Sequence, residues 1–402
     1  MTLNTFHTPN NRIAYFKRQI HHHLRYWHQH DAINTMEIAT LDKRRDSILS
    51  TITFGLDLPD AWTQTRDLMI TFSTFMERRG YWDTWNKLLA KAIEVARQVE
   101  DVDGEITLSA LLARLHQRQS RPKDVVYWYR RVIRRARKAG NRYEEARACS
   151  NLGYAYIDGG RWWRSKTLCQ HALQIFEDLK SDHGKAHTHN HLGLLNTRRK
   201  KWLEAETNLN EACRLWKLMK DNYALLYGLE NIGALLLDMQ LPEKAINSLK
   251  DALTYARLTG EETEVSKIWN NLGRANEKAG NFSEAETYFK KAEKALQSTF
   301  NRLELARVWH NLGWLYCRQA RWKESEKYFV LALKIYQGLE NLNEEINILE
   351  DIISCELQRG NFSNASTHLA ELEKIHSLNE ESIQRIARFR QKIQHNWCSK
   401  TQ

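Results

Sequence analysis

The chain has 402 residues, of which 42% are hydrophobic and 27% charged, and its formal net charge of +11 favours an acidic partner such as nucleic acid or an acidic protein. No run of residues approaches the roughly 18 apolar positions that a membrane span needs, and the first ten residues lack the apolar core of a secretory signal. Six cysteines without C-x-x-C spacing predict unpaired, mostly buried thiols and a cytoplasmic location.

The first segment, residues 1–61, is expected to be helical. Residues 13–27 and 33–52 carry apolar side chains at helical spacing, which predicts two or three helices. A run of histidines at 21–23 lies on the first of them and is interpreted as a polar helix face.

A repeated tripeptide follows. Asn-Leu-Gly stands at 151–153, and close variants begin at 191, 231, 271 and 311, so each step is 40 residues without a gap. Counting from residue 71, eight blocks of this length run in register. A fixed period of this size indicates one supersecondary unit that buries its apolar face on copies of itself.

Within a block, the pattern predicts two helices. The second position is apolar and the third is small in nearly every block, which lets another helix approach closely. Glycine often stands at the tenth position, as in Gly160 and Gly280, where it suits the end of a helix. A ring or a proline two residues later begins a second helix with alanines on its inner face. Each unit is therefore predicted to be helix A, a tight turn, helix B and a tight turn.

These residues resemble the tetratricopeptide repeat family. Block 271–292 reads NLGRANEKAGNFSEAETYFKKA and matches the family signature almost throughout, although the period exceeds the usual value of about 34. The resemblance implies an all-α, right-handed α-solenoid of about eight helix-turn-helix repeats over residues 62–378. An amphipathic stretch within 379–402 is predicted to be a capping helix followed by a tail.

Residues 42–85 are also similar to the segment that joins the ATPase core of bacterial STAND/NB-ARC signalling proteins to their tetratricopeptide sensor arm. The chain contains no G-x-x-x-x-G-K-[ST] motif, so nucleotide hydrolysis is not expected. No other catalytic motif was found, and we expect neither an enzyme nor a cofactor. The resemblance implies a sensor arm whose partner is a separate effector or ATPase.

The concave face of the A helices is the partner-binding surface that the resemblance implies. An asparagine row there could bond to the backbone of an extended peptide, and nearby cations could bind acidic side chains. The alternative is that the amides bond only to the neighbouring repeat. The candidate groove residues are Asn151, His191, Asn231, Asn271 and Asn311, then Arg147, His187, Tyr227, Lys267 and Arg307 one turn earlier, with Arg274 and Trp314 one turn later.

A basic belt lies between residues 111 and 142, where eleven Lys or Arg residues accompany one acid, Asp124. Its densest part comprises Arg130, Arg131, Arg134, Arg135, Arg137 and Lys138. Interleaved aromatic rings would suit phosphate contacts and base stacking, but a stripe on helix B is also typical of a solvated face.

The histidines His183, His187 and His191 lie four residues apart on one helix face, yet no acid or thiol joins them, so a metal site is not expected. The sequence therefore predicts a protein-binding scaffold, adaptor or sensor, acting in bacterial signalling or defence. A nucleic-acid-binding protein and a peptide-responsive tetratricopeptide regulator remain the alternatives.

Overall fold

The computed structural model describes residues 9–28, 33, 36–119, 121–260, 262–297, 301–339, 341–375 and 380–398. Within these ranges the regular structure consists of α-helices and one 3₁₀ turn at Pro59–Ala61, with no strand. The predicted all-α fold class is therefore confirmed. The chain forms two compact units, Met1–Asn208 and Leu209–Gln402, and the boundary falls within a helix.

Unit 1 contains a helical segment followed by the first helix pairs. Its helices are α1 (Pro9–His28), α2 (Ile38–Gly55), α3 (Trp62–Arg78), α4 (Trp82–Gln98), α5 (Val102–Arg118), α6 (Pro122–Ala139), α7 (Arg142–Asp158), α8 (Trp162–Asp178), α9 (Asp182–Arg198) and the start of α10 (Trp202–Leu218). Helix α3 packs against α4, α5 against α6 and α7 against α8.

Unit 2 continues the same alternation. Its helices, after the remainder of α10, are α11 (Asn222–Asp238), α12 (Pro242–Leu258), α13 (Glu262–Lys278), α14 (Phe282–Gln297), α15 (Arg302–Arg318), α16 (Trp322–Gly338), α17 (Leu342–Arg359), α18 (Phe362–Glu373) and α19 (Glu380–Cys398). We call the odd-numbered helices from α3 to α17 the A helices and the even-numbered helices from α4 to α18 the B helices. In each unit successive A helices pack side by side, as the predicted solenoid requires.

The A helices begin at polar caps. In α7, α15 and α17 the side chain of an asparagine, such as Asn301, accepts a hydrogen bond from the backbone N–H of a glutamate three residues later, such as Glu304. This contact satisfies one of the unpaired donors at a helix start, and the glutamate is favoured there by the helix dipole. The cap therefore places an acidic side chain in the first turn of these A helices.

The A helices end at the predicted tenth position. Gly160 and Gly280 have positive φ angles of 66° and 83°, and the non-glycine residues Lys200, Gln240 and Ala320 adopt angles of 56–61° at the same position. The left-handed conformation is thus set by the tight turn between helices A and B, even where no glycine reduces its cost.

The small third residue of each block allows close packing of helices A and B. A Cβ atom on Gly273 would lie 2.4 Å from Cε1 of Phe289, and one on Gly313 would lie 2.6 Å from Cδ1 of Phe329. Both phenylalanines are buried on the B helix of the same pair. The predicted close approach is therefore confirmed.

The flanking helices extend the core at each end of the array. In unit 1, α1 and α2 pack against α3, and their buried side chains join the same apolar cluster as Phe72 and Trp85. In unit 2, α19 packs against α17 and α18, where Ile386 and Ile393 are buried. The predicted tail beyond residue 398 and the first eight residues lie outside the described residues.

The prediction of unpaired thiols is wrong for one pair. Cys317 on α15 and Cys355 on α17 form a disulfide, with a Cα–Cα distance of 5.9 Å that suits such a bond. Their separation of 38 residues places them on adjacent A helices, a juxtaposition created by the repeat packing. Cys149, Cys169 and Cys213 are free thiols.

None of the helices in the described ranges combines the length and apolar character that crossing a membrane would require.

Candidate functional site

The repeated asparagines of unit 2 bond to the preceding A helix. Nδ2 of Asn271 donates to Oε1 of Glu230 at 3.2 Å, and Nδ2 of Asn311 donates to Oδ1 of Asn270 at 2.8 Å. In each case the acceptor is the residue just before the repeated asparagine position on the preceding A helix, 41 residues earlier. The row of predicted groove amides is thus one side of a polar ladder that sequence reasoning described only in part.

In unit 1 the ladder contains buried histidines. Nδ1 of His191 lies 2.9 Å from Oγ of Ser150, and its ring stacks on Tyr154 at a centroid distance of 4.9 Å. Burial lowers the pKa of His191 to about 4, and burial beside His183 lowers the pKa of His187 to about 3. Both rings are therefore neutral at pH 7, and His191, which is only 9% exposed, offers little surface to a partner.

Three of the predicted groove cations are paired with acids of their own helices. Arg147 lies 2.7 Å from Glu144, Lys267 lies 3.1 Å from Glu264, and Arg307 lies 2.9 Å from Glu304. These glutamates stand three residues before the cation, in the first turn of each A helix. The repeat pattern predicted the cations as groove residues but not their pairing with this periodic acid.

Two further predicted groove residues are engaged locally. Oη of Tyr227 lies 2.8 Å from Oη of Tyr223, four residues earlier on α11. Trp314 is half-buried and packs on the apolar cluster that contains Phe329 and Ile352. Asn151 and Asn231 are also half-buried on their A helices.

Unit 2 brings three predicted residues, Arg274, Arg307 and Asn311, into one polar cavity of about 420 Å³. The cavity also contains side chains that the sequence analysis missed. Three of them are Tyr336 from helix α16, Glu350 from α17 and Arg385 from the capping helix α19. Arg385 lies outside the repeats, so the repeat pattern carried no signal for it.

An acidic cluster lies on the same row of A helices. Burial, reinforced by the nearby charge of Glu264, raises the pKa of Glu230 to about 8, and Lys267 only partly opposes this effect. A carboxyl group with a raised pKa indicates a site that is shielded from water and close to another acid. The unit 2 row is therefore less basic than its sequence-selected residues suggested.

Half of the six residues in the densest part of the basic belt are paired with acids from neighbouring helices. Arg131 and Arg135 donate to Glu105 at 3.1 and 2.9 Å, and Arg137 donates to Glu145 at 2.6 Å. Burial of Glu105 would raise its pKa, but hydrogen bonds from Arg97 on helix α4 and from Arg131 and Arg135 lower it. The count of acids within residues 111–142 missed both glutamates, because they lie outside that window.

The rest of the belt divides between packing and solvent. Nη2 of Arg130 donates to Oη of Tyr156 at 3.1 Å. Arg134 and Lys138 are exposed on α6. Among the described residues, no group of three or more His, Cys, Asp or Glu side chains has an arrangement that could hold a metal ion.

Comparisons with known proteins agree with this fold. Models of the tetratricopeptide repeat family match residues 141–217, 223–298 and 305–343. No curated protein matches the chain in sequence.

Solved structures of low sequence identity share the architecture. The apo form of the quorum sensor NprR from B. thuringiensis is 13% identical with a TM-score of 0.56, covering 83% of this chain and 98% of that one. A Rap protein complexed with Competence and Sporulation Factor is 16% identical with a TM-score of 0.53, again covering 83% and 98%.

A third structure is a Signal Transduction ATPase with Numerous Domains (STAND) protein with a tetratricopeptide repeat sensor, from Pyrococcus horikoshii. It is 12% identical with a TM-score of 0.56, and the match covers 82% of this chain but 52% of that one. At these identities the likeness concerns the fold alone. The chain is a tetratricopeptide repeat protein, similar in fold to the tetratricopeptide sensor of a STAND protein.

Proposed function

We propose that this chain is a non-catalytic interaction scaffold that holds an extended peptide segment of a partner protein along its A helices. The observation that carries the proposal is the polar ladder. Asn271 and Asn311 each use one amide hydrogen bond to hold the neighbouring helix and remain half-buried rather than enclosed. An asparagine amide has one acceptor and two donors, so such a side chain can also bond to a peptide backbone.

The charges of unit 2 favour a partner of mixed charge over a purely acidic one. Lys267 and Arg307 alternate along the row with Glu264, Glu304 and Glu344, to which they are paired. An all-acidic segment would meet these carboxylates as well as the cations, and like charges brought together oppose binding. A segment carrying both signs could match the alternation.

The fold neighbours give the proposal a biological setting. One is a quorum sensor, and another was solved in complex with a factor that it binds. By analogy, we place this chain in bacterial signalling, either as a peptide-responsive regulator or as an adaptor for a separate effector.

The test starts from peptides selected on the full chain from a random display library. Their affinity is then measured by fluorescence anisotropy against wild type and against the double variant Asn271→Ala, Asn311→Ala. Losing two hydrogen bonds to the peptide should weaken binding by about tenfold or more. Asn247→Ala, on the exposed side of helix α12, is the matched control and should leave affinity unchanged.

Helicity by circular dichroism checks that the double variant still folds. If the library yields no specific peptide, or if the selected peptides bind the double variant as well as wild type, the ladder is not the capture surface.

A further inference from the structure

The cavity of about 420 Å³ in unit 2 contains two buried polar atoms with no hydrogen-bond partner in the described part of the chain. One is Oη of Tyr336, whose side chain is 0% exposed, and the other is Oε1 of Glu350, which is 6% exposed. Buried polar groups are nearly always hydrogen-bonded because leaving one unpaired is costly. Two such atoms in one cavity indicate where a bound group would complete the bonding.

The capping helix orients the carboxylate of Glu350. Its Oε2 atom lies 3.0 Å from Nε of Arg385 on α19, and Ser382 on the same helix also bonds to this carboxylate. One oxygen is thus held by α19, while the other remains for a ligand. A carboxylate held in this way does not need to reorganise when it accepts a hydrogen bond.

Most other charged side chains of the cavity are already paired. Arg307 contacts both Glu304 and Glu344, and Nε2 of His310 lies 2.8 Å from Oδ2 of Asp351. Arg274 adds an exposed cation.

The charges that line the cavity are balanced, unlike those of the whole chain. The cavity's three acids are Glu344, Glu350 and Asp351, and its three arginines are Arg274, Arg307 and Arg385. Burial is the largest cause that raises the pKa of Glu350. The nearby charge of Asp351 raises this pKa further, while Arg385 lowers it. Arg385 is the cation in contact with Glu350, and the other oxygen of this buried carboxyl group has no partner among the described residues.

We propose that this cavity binds a cationic nitrogen of the captured peptide, which donates hydrogen bonds to Oε1 of Glu350 and Oη of Tyr336. The nitrogen is either the amino terminus of the peptide or a basic side chain, since both present the same charged donor. The inference rests on the proposed peptide capture and adds the chemical group that the end of the array selects. It also gives helix α19 a role in positioning Glu350 beyond covering the last repeat.

The probe is a fluorescein-labelled peptide from the library selection that carries a free amino terminus and at least one basic residue. Two matched peptides separate the sources: one is acetylated at the amino terminus, and the other has each basic residue replaced by norleucine. We expect one of the two replacements to weaken binding to wild type by about tenfold or more.

The protein variants are Glu350→Gln and Tyr336→Phe, with Glu326→Gln as a control that removes one acidic charge from an exposed site on α16. Glu350→Gln should bind the parent peptide about tenfold more weakly than wild type does. Its affinity for the matched peptide whose amino group or basic side chain mattered in wild type should be almost unchanged. Tyr336→Phe keeps the ring and should show a smaller loss of the same kind, which protects the test if Glu350→Gln folds poorly.

One result would overturn this inference and leave the proposed capture standing. In that result the parent peptide binds Glu350→Gln and Tyr336→Phe as tightly as wild type, while the double variant Asn271→Ala, Asn311→Ala still binds it more weakly. The inference would also be overturned if both variants lost the same factor of affinity for the parent peptide and for the peptide without the cation, because the cavity would then not distinguish the charge. If the double variant Asn271→Ala, Asn311→Ala bound the parent peptide as tightly as wild type, the result would instead contradict the proposed function itself.

Discussion

Adding one methyl group at the contact between helices A and B tests the packing on which the array depends. In Gly313→Ala the new Cβ would lie 2.6 Å from Cδ1 of Phe329 and 2.9 Å from its Cγ, well inside van der Waals contact. Phe329 is 2% exposed and packs among Ala306, Tyr336 and Ile352, so the ring has little room to retreat. The substitution must therefore separate the two helices or strain the ring.

The magnitude follows from two opposing effects. Overpacking a core typically costs about 1–3 kcal/mol, whereas replacing glycine by alanine inside a helix gains about 0.5–1 kcal/mol. The net loss in the free energy of unfolding should be roughly 1–2 kcal/mol. Gly338→Ala is the matched control, because a Cβ at Gly338, in the last turn of helix α16, meets no atom within 4 Å. It should raise stability by about 0.5 kcal/mol.

Urea unfolding followed by circular dichroism measures both variants. Because repeat arrays can unfold in parts, hydrogen exchange of the α15 and α16 amides should accompany the unfolding curves and locate the loss. Gly313→Ala unfolding at or above the wild-type urea midpoint would refute the close-packing argument. So would an equal loss in Gly338→Ala, since glycine removal rather than the clash would then be the cause.

Three further predictions concern charge and redox state. Because burial raises the pKa of Glu230 to about 8, the folded chain holds a proton that the unfolded carboxyl releases near 4.5, so stability falls as pH rises between these values. Glu230→Gln should flatten that fall and gain on the order of 4 kcal/mol near pH 8, and identical urea midpoints from pH 5 to 9 would contradict this. Glu105→Gln should strengthen binding to duplex DNA at low salt, because it releases arginines of the basic belt. In a filter-binding titration, the affinity of wild type for DNA should depend only weakly on salt concentration. A steep dependence for wild type would show that the belt already contacts phosphates. Under denaturing conditions without reductant, Cys317 and Cys355 should resist alkylation while the free thiols are labelled, and peptide mapping that finds them modified would exclude the disulfide.

Features repeated every 40 residues were predictable because a periodic pattern reports the contacts within one helix pair. The close approach at Gly273 and the left-handed turn at Gly280 both follow from residue type at a fixed position. The cap at Asn301 is equally periodic, and so is Glu304 beside it, but the repeat pattern did not predict that Glu304 pairs with Arg307.

Contacts between neighbouring A helices were not predictable in detail. Asn271 meets Glu230 because two helices pack side by side, and the acceptor at that position changes from one repeat to the next. His191 became a buried, neutral ring for the same reason, since its neighbours Ser150 and Tyr154 lie about 40 residues away.

The sequence by itself determined that this chain is an array of helix pairs, because spacing within a helix and the size of one residue decide local packing. Only the tertiary structure decided the electrostatic character of the candidate surface. Glu105 on helix α5 pairs with two arginines of helix α6, and the capping helix holds Glu350 at the cavity. Charge balance and the pKa depend on distances of a few ångströms between helices and on the loss of water around each group, and residue order alone specifies neither.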